Sequence, residues 1–165
     1  MTILELLNQE FEQEAATTQK MLSRVPDDKF DWKPHPKSMD IRTLATHIAD
    51  LPTWIPMAMD TDELDFATAS YNPPPINTTK DLLGVLDKNI ALGRQALQNA
   101  NPEKFDEPWV LRTGEHIHVN TTRYGLIRIS LSQIIHHRAQ LGVFLRLLDI
   151  PIPGSYGPSA DEMNF

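Results

Sequence analysis

The chain has 165 residues, 41% of them hydrophobic, which suffices for one compact domain over residues 1–165 with a single core. With 22 acidic and 15 basic residues its formal net charge is -7, so its average field repels a phosphate backbone and argues against nucleic-acid binding. The sequence contains no cysteine, which excludes disulfides and thiolate metal sites and fits a reducing compartment.

The N-terminal region carries no targeting signal and predicts a helix. It has no basic stretch before an apolar one, and no apolar run in the chain approaches the roughly 20 residues that cross a bilayer. We therefore expect a cytoplasmic protein without membrane partners. Thr2 and Glu5 have the spacing of a capping box, so the first helix should begin there, and Pro26 ends it.

A long connection separates this helix from the second one. Residues 26–39 contain three prolines and carry Trp32 as an apolar anchor. Ser38 or Asp40 can cap the second helix, whose apolar residues recur at helical spacing. Two prolines in its second half remove backbone donors, so we expect a kink or an irregular end near Met59.

The middle of the chain predicts a crossover, a third helix and a small hairpin. Residues 60–77 are acidic and then carry three consecutive prolines, which indicates an extended surface crossover. The third helix should begin at Thr78 or Thr79 and end near residues 99–102. Residues 109–119, with the sequence WVLRTGEHIHV, predict two short strands around Gly114.

The last predicted helix is the longest and runs from about Thr122 to Leu148. The segment after it is punctuated by proline and glycine and cannot continue it. Four helical patterns without helix–strand alternation predict an all-α four-helix bundle with long crossover loops. The small β-hairpin lies between the third and fourth helices.

A polar row interrupts the apolar face of this last helix. Gln133, His137 and Gln140 share one facet of the helix with apolar residues, a position expected to face the core. An unsatisfied polar group in such an interior costs about 1–3 kcal/mol, so the row needs partners. His136 and Arg138 point roughly one hundred degrees to either side of His137.

His47 on the second helix is the partner that we predict for this row. Gln133 and His137 stand four residues apart, close enough to hold one ion, and His47 can complete a three-ligand site. Asp50 can accept the other ring hydrogen of His47, and Gln140 is a second candidate for such a supporting contact. The residues alone leave two alternatives open: a metal site, or core histidines hydrogen-bonded to glutamines.

The other polar candidates have simpler interpretations. His116 and His118 alternate on one face of the hairpin and are expected to be plain surface residues, and His35 is expected to lie in a loop. We expect Arg138 to pair with an acidic residue of another helix. Ser159 lacks the surroundings of a catalytic nucleophile.

Several stretches of the chain resemble a single protein family. They are WKPHPKS (32–38), LATHIA (44–49), HHRAQL (136–141), FLRLL (144–148), PIP (151–153) and YGPSADE (156–162). They bracket nearly the whole chain and resemble the DinB family, including its YfiT-like members. The resemblance implies a four-helix bundle that binds zinc or nickel and acts as a metal-dependent enzyme, and some relatives are thiol-dependent transferases or isomerases.

The resemblance also implies a ligand set, namely one histidine on the second helix and a His-x-x-x-His pair on the last. His47 matches the first of these and His137 the second histidine of the pair, whereas Gln133 stands where the pair has its first histidine. An amide oxygen is a weaker zinc ligand than imidazole. Gln133 therefore ligates, is replaced by water, or leaves a pocket without its ion.

Two functions compete on this basis. The first is a metal-dependent enzyme, a hydrolase or a thiol-dependent transferase, that acts on a small molecule. The second is a non-catalytic small-molecule-binding or dimerisation module of a stress response whose metal site has degenerated. In either case the protein can form a homodimer, because relatives often pair through their helices.

Overall fold

The computed structural model describes residues 1–70 and 72–163. Tyr71 of the predicted crossover and the last two residues of the predicted domain lie outside this description. The fold is mostly helical, with a small three-stranded sheet. The helices are α1 (Ile3–Leu22), α2 (Ile41–Asp50), α3 (Trp54–Asp60), α4 (Thr79–Gln98) and α5 (Arg123–Leu147). The strands are β1 (Glu63–Asp65), β2 (Pro108–Thr113) and β3 (His116–Thr122).

Side-chain caps set the starts of the long helices. Thr2 forms the predicted capping box with Glu5 at the start of α1, and the same box recurs at the start of α4. Asp40, not Ser38, caps α2 by accepting a hydrogen bond of 2.7 Å from the backbone N–H of Thr43. Because each cap satisfies backbone donors that have no partner within the helix, the helices begin where short-range sequence signals predict.

The predicted second helix is interrupted. Helix α2 ends at Asp50, one turn of 3-10 helix covers Leu51–Thr53, and α3 follows directly from Trp54. Pro52 lies in this turn and lacks the N–H that a continuous helix would use, which accounts for the break. Side chains of both helices line a common space.

The helices bury one continuous apolar core. Helix α1 packs on α4 and α5, and α2 also packs on α4 and α5. Large side chains in the centre of this core are fully buried, among them Phe11, Leu44, Leu86 and Trp109. No helix of the described residues is both long enough and apolar enough to cross a membrane.

Arg138 forms a buried ion pair, as expected from the sequence. Its guanidinium nitrogen Nη1 lies 2.6 Å from Glu14 Oε2 of α1, and both side chains are 3% exposed. Nη1 also donates a hydrogen bond of 3.0 Å to Thr18 Oγ1. The hydroxyl of Tyr156, in the segment after α5, donates to the other oxygen of Glu14 at 2.5 Å. This network fastens the C-terminal segment to α1 and α5.

The sheet caps one end of the helices. Strands β2 and β3 pair antiparallel around Gly114, which adopts a positive φ of 57° that favours glycine. Strand β1 pairs in parallel with β2 and was not predicted, because three residues show no usable alternation. Asp65 holds β1 to the turn, since its Oδ1 accepts hydrogen bonds of 2.9 Å from the N–H groups of both Gly114 and Ala67.

Arg123, the first residue of α5, joins the sheet to the helices. Its guanidinium donates to the carbonyl oxygens of Ala58 at 2.8 Å and Thr61 at 2.6 Å, where α3 ends. It also pairs with Asp62 at 2.5 Å and with Glu107 at 2.7 Å. Only 7% of Arg123 is exposed, so one buried cation fixes the end of α3, the approach to β1 and β2, and the start of α5.

Candidate functional site

The structure brings His47 and His137 together. Helices α2 and α5 pack against each other, and the two imidazole rings meet with a centroid distance of 4.7 Å and an interplanar angle of 74°. Both side chains are half-buried. Two of the three residues that the sequence singled out therefore form one cluster between the helices.

Gln140 orients the ring of His137. Its Oε1 lies 2.8 Å from His137 Nδ1, one turn further along α5. Because an amide oxygen can only accept, Nδ1 carries the proton in this hydrogen bond, and the lone pair of a neutral ring is on Nε2. The hydrogen bond at Nδ1 thus fixes the orientation of the His137 ring, and Nε2 is the atom that can ligate a metal ion.

The electrostatic surroundings of His47 favour the neutral ring. Burial lowers the pKa of His47, and the neighbouring His137 lowers it further. Asp50, one turn away, has a raised pKa because of its burial. Among the described residues no hydrogen bond joins Asp50 to His47, so the supporting contact predicted between them is not formed here.

Gln133 lies at the edge of this cluster. It precedes His137 by one turn of α5, is half-buried, and lines with His136, His137 and Ser132 an open groove of about 590 Å³. Within residues 1–70 and 72–163 no hydrogen bond reaches its side chain. The centre of the buried face of α5 is instead formed by residues such as Ile134, Arg138, Leu141 and Leu145. The polar row therefore borders the core and does not need buried partners.

The donor set around the two histidines is small. Across the parts of the chain that the structure describes, no group of three or more histidine, aspartate or glutamate side chains is arranged to hold a metal ion. Imidazole nitrogens suit zinc or nickel, and Gln133 is the residue from which a third protein donor can come. The residues fit an ion with two strong ligands and one weak ligand.

A large cavity adjoins His47, and we call it the α2 cavity. Its volume is about 760 Å³, within the range of about 300–1,000 Å³ that is typical of small-molecule sites. Its apolar lining includes Met39, Trp54, Met57, Leu64, Phe66 and Ile76. Polar side chains of α2, among them Thr46, His47 and Asp50, form one wall.

The sequence did not reveal the far walls of this cavity. Prolines 73–75 are exposed, as predicted for a surface crossover, and they also line the cavity. Arg42 fixes this segment, because its guanidinium donates to the carbonyl oxygen of Ile76. The available signal was the polar face of α2: Thr43, Thr46 and Asp50 recur at helical spacing on a helix whose other face is core.

His136 lies beside His137, with ring centroids 4.8 Å apart, whereas the other three histidines lie away from this cluster. His35 is exposed in a loop and accepts a hydrogen bond from the N–H of Lys37. His116 and His118 are exposed on β3, with ring centroids 4.7 Å apart, and the Nε2 of His118 contacts Thr113 Oγ1 at 2.8 Å. Their positions agree with the surface and loop roles expected from the sequence.

Comparisons with known proteins give a consistent family and fold. A sequence profile of the DinB family matches residues 1–164. A DinB-like protein from Bacillus subtilis superposes with a TM-score of 0.70 at 16% identity, covering 91% of this chain and 96% of that one. A DinB-like protein from Bacillus cereus also gives 0.70, at 19% identity, covering 91% and 95%. No curated protein sequence matches this chain.

An enzyme with the same fold is also similar to this chain. The mycothiol-dependent maleylpyruvate isomerase superposes with a TM-score of 0.62 at 13% identity. The match covers 86% of this chain and 61% of the isomerase, so the isomerase has a substantial part with no counterpart here. At these identities the similarity establishes the shared fold.

Proposed function

The chain belongs to the DinB family, and we propose that it is an enzyme that binds a divalent metal ion through His47, His137 and Gln133. The proposed reaction is a hydrolysis or a thiol-dependent transfer on a small molecule. The observation that carries the proposal is the contact of the two imidazole rings, 4.7 Å between centroids, beside a cavity of about 760 Å³.

The surroundings of the two rings support metal binding. Imidazole ligates through a nitrogen lone pair and must be neutral to do so. The lowered pKa of His47, caused by burial and by His137, favours this neutral form. Gln140 holds His137 by Nδ1, which directs Nε2 away from that hydrogen bond and toward a ligand.

Gln133 would supply the third ligand through its amide oxygen, or would hold a water molecule in that place. When bound, zinc or nickel would lower the pKa of a bound water or thiol and so generate a nucleophile near neutral pH. His47 lines the α2 cavity and His137 lies against His47, so an ion held by both would lie next to a space with largely apolar walls.

The absence of cysteine sets a condition for any thiol chemistry. The sequence contains no protein thiol, so a sulfur nucleophile must come from a small molecule. The shared fold of the mycothiol-dependent maleylpyruvate isomerase supports a thiol-dependent reaction as one of the two classes. We further propose that the protein acts in the cytoplasm, where small thiols are kept reduced, and that it forms a homodimer.

A second function is favoured by the state of Gln133. Its side chain receives no hydrogen bond from the described residues, and no cluster of three histidine or carboxylate ligands is present among them. A protein with this donor set can have kept its cavity and lost its ion. It would then be a non-catalytic binding or dimerisation module, for instance in a stress response.

Metal content of the purified protein tests the first proposal. Zinc and nickel are measured by elemental analysis in the wild type, in His47→Ala and in His137→Ala, with His35→Ala as the exposed control. We expect bound metal in the wild type and the control and its loss in both site variants. Unchanged stoichiometry in the two site variants would refute the site.

Gln133→His separates the two functions. If the site is degenerate, the variant should gain at least about tenfold in affinity for zinc, because imidazole replaces a weak amide ligand. If Gln133 is functional, the variant should lose activity on substrates that the wild type turns over. Calorimetric zinc titration of wild type and variant, with Ser132→His as the matched control one residue away, measures the first of these effects.

A further inference from the structure

The α2 cavity has an uneven distribution of charge. Of the described residues that line it, three carry titratable or charged side chains: Arg42, His47 and Asp50. The other lining residues are uncharged, and most are apolar. Which charge a ligand of this cavity can carry therefore depends on whether these three groups already have partners.

Arg42 already makes polar contacts within the protein. Its Nε and Nη2 donate to Asp31 Oδ1 at 3.3 and 3.0 Å, and its Nη1 donates to the carbonyl oxygen of Ile76. Its guanidinium also lies over the ring of Phe30, 5.0 Å from the centroid. An anionic ligand would have to displace these contacts before it could use Arg42.

Asp50 is in the opposite situation. It is half-buried, and no cation of residues 1–70 and 72–163 forms an ion pair with its carboxylate. His47 lies one turn away on α2, and within the described residues no hydrogen bond or ion pair joins it to Asp50. The cavity consequently contains one carboxyl group without a counter-ion among these residues, next to a broad apolar surface. Burial raises the pKa of this group, and a cationic ligand beside it would oppose that effect.

The apolar surface suits a ring-sized group. Trp54 begins α3 one turn after Asp50, and Phe66 follows β1, so two aromatic side chains line the same space as the carboxylate. Aromatic faces attract cations in addition to excluding water. A carboxylate with aromatic neighbours is the combination that recognises an organic amine.

We infer that the α2 cavity binds organic amines, that is, molecules with an apolar or aromatic body and one protonated basic nitrogen placed against the Asp50 carboxylate. As the substrate class of the proposed site, this inference rests on the proposed function. Binding of the amine itself uses Asp50 and the cavity walls and does not require the metal. In the absence of the metal ion, the same charge distribution disfavours carboxylates and phosphates, which would meet Asp50 without a free cation.

Three probes of equal shape test the inference: phenethylamine, phenethyl alcohol and hydrocinnamate, which are cationic, neutral and anionic at neutral pH. Their affinities are measured by calorimetry in the presence of a chelator, so that metal makes no contribution. We expect the amine to bind the wild type about tenfold tighter than the alcohol, because a charge-assisted contact replaces a neutral one. The anion should bind weakest.

Asp50→Asn is the matching variant, since it removes the charge and keeps the shape. This variant should bind the amine about tenfold more weakly than the wild type and bind the alcohol with unchanged affinity. Asp60→Asn changes an exposed residue outside the cavity lining and should bind all three probes like the wild type. Equal affinity for amine and anion, no amine binding at millimolar concentration, or an unchanged preference in Asp50→Asn would each refute the inference.

His137→Ala separates this inference from the proposed function. His137 does not line the α2 cavity, so the variant should lose metal and keep its affinity for the amine. If amine binding persists while wild type and variant both lack metal, the proposed metal site fails and the amine site stands. If the wild type binds metal but not phenethylamine, the amine site fails and the proposed metal site stands.

Discussion

Replacing Arg138 by methionine removes the cation from a fully buried ion pair. Methionine keeps most of the volume of the arginine stem, so the principal change is electrostatic. Glu14 would remain 2% exposed, with Tyr156 as its one hydrogen-bond donor among the described residues. Its Oε2 already lacks an aligned hydrogen bond and depends on the charge of Arg138, 2.6 Å away.

The expected cost follows from this burial. Removing one partner of a buried pair typically destabilises a protein by about 3–5 kcal/mol, because the other charge is left uncompensated. That is a large share of the roughly 5–15 kcal/mol by which a domain is stable. For a chain of this size it corresponds to a decrease in Tm of roughly 6–20 °C.

Urea denaturation followed by circular dichroism measures the change, with a double-mutant cycle as control. Glu14→Leu combined with Arg138→Met removes both charges and should recover most of the stability lost in Arg138→Met. Tyr156→Phe deletes one hydrogen bond to Glu14 and should cost about 1–2 kcal/mol. A loss below about 1 kcal/mol in Arg138→Met, or a double variant no better than the single one, would refute the reasoning.

Two further predictions concern the sheet and the packing of α4. The N–H groups of Gly114 and Ala67, followed by Arg112, lower the pKa of Asp65, so its charge stabilises the fold above its ordinary pKa of about 3.9. Thermal melts should therefore show Asp65→Asn less stable than the wild type at neutral pH, with the difference vanishing as acidification passes the lowered pKa; a constant difference would contradict this. Gly93→Ala should cost about 1–3 kcal/mol in urea denaturation, because a Cβ there meets the ring of Phe11 at 2.8 Å. Gly84→Ala, on the same helix with no atom within 4 Å of the new Cβ, should instead stabilise by up to about 1 kcal/mol, and equal effects would contradict the packing argument.

The helix starts could be predicted because their determinants are local. Thr2 caps α1 through a residue three positions away, and Asp40 does the same for α2. The facing of His47 and His137 also followed from helical spacing together with the resemblance to the family. Such features depend on contacts within a few residues or on one face of one helix, which the sequence displays directly.

The sequence could not predict the walls of the α2 cavity, nor strand β1, which adds to the predicted hairpin. Strand β1 depends on pairing of Leu64 with Leu111, 47 positions later in the chain, and no local pattern marks that contact. The proline segment at 73–75 lines the cavity because Arg42 binds the carbonyl oxygen of Ile76. This contact joins a side chain to a main-chain oxygen 34 positions later, and no periodic pattern in the sequence indicates it.

Arg123 makes the sheet end of the molecule a cooperative unit. Its guanidinium is bonded at once to the end of α3, to Asp62 before β1 and to Glu107 before β2. None of these segments can open without leaving this buried charge short of partners, which ties their local unfolding to one event. In native-state hydrogen exchange, amides of α3, β2 and the first turn of α5 should then exchange with a common opening free energy, separate from that of α1.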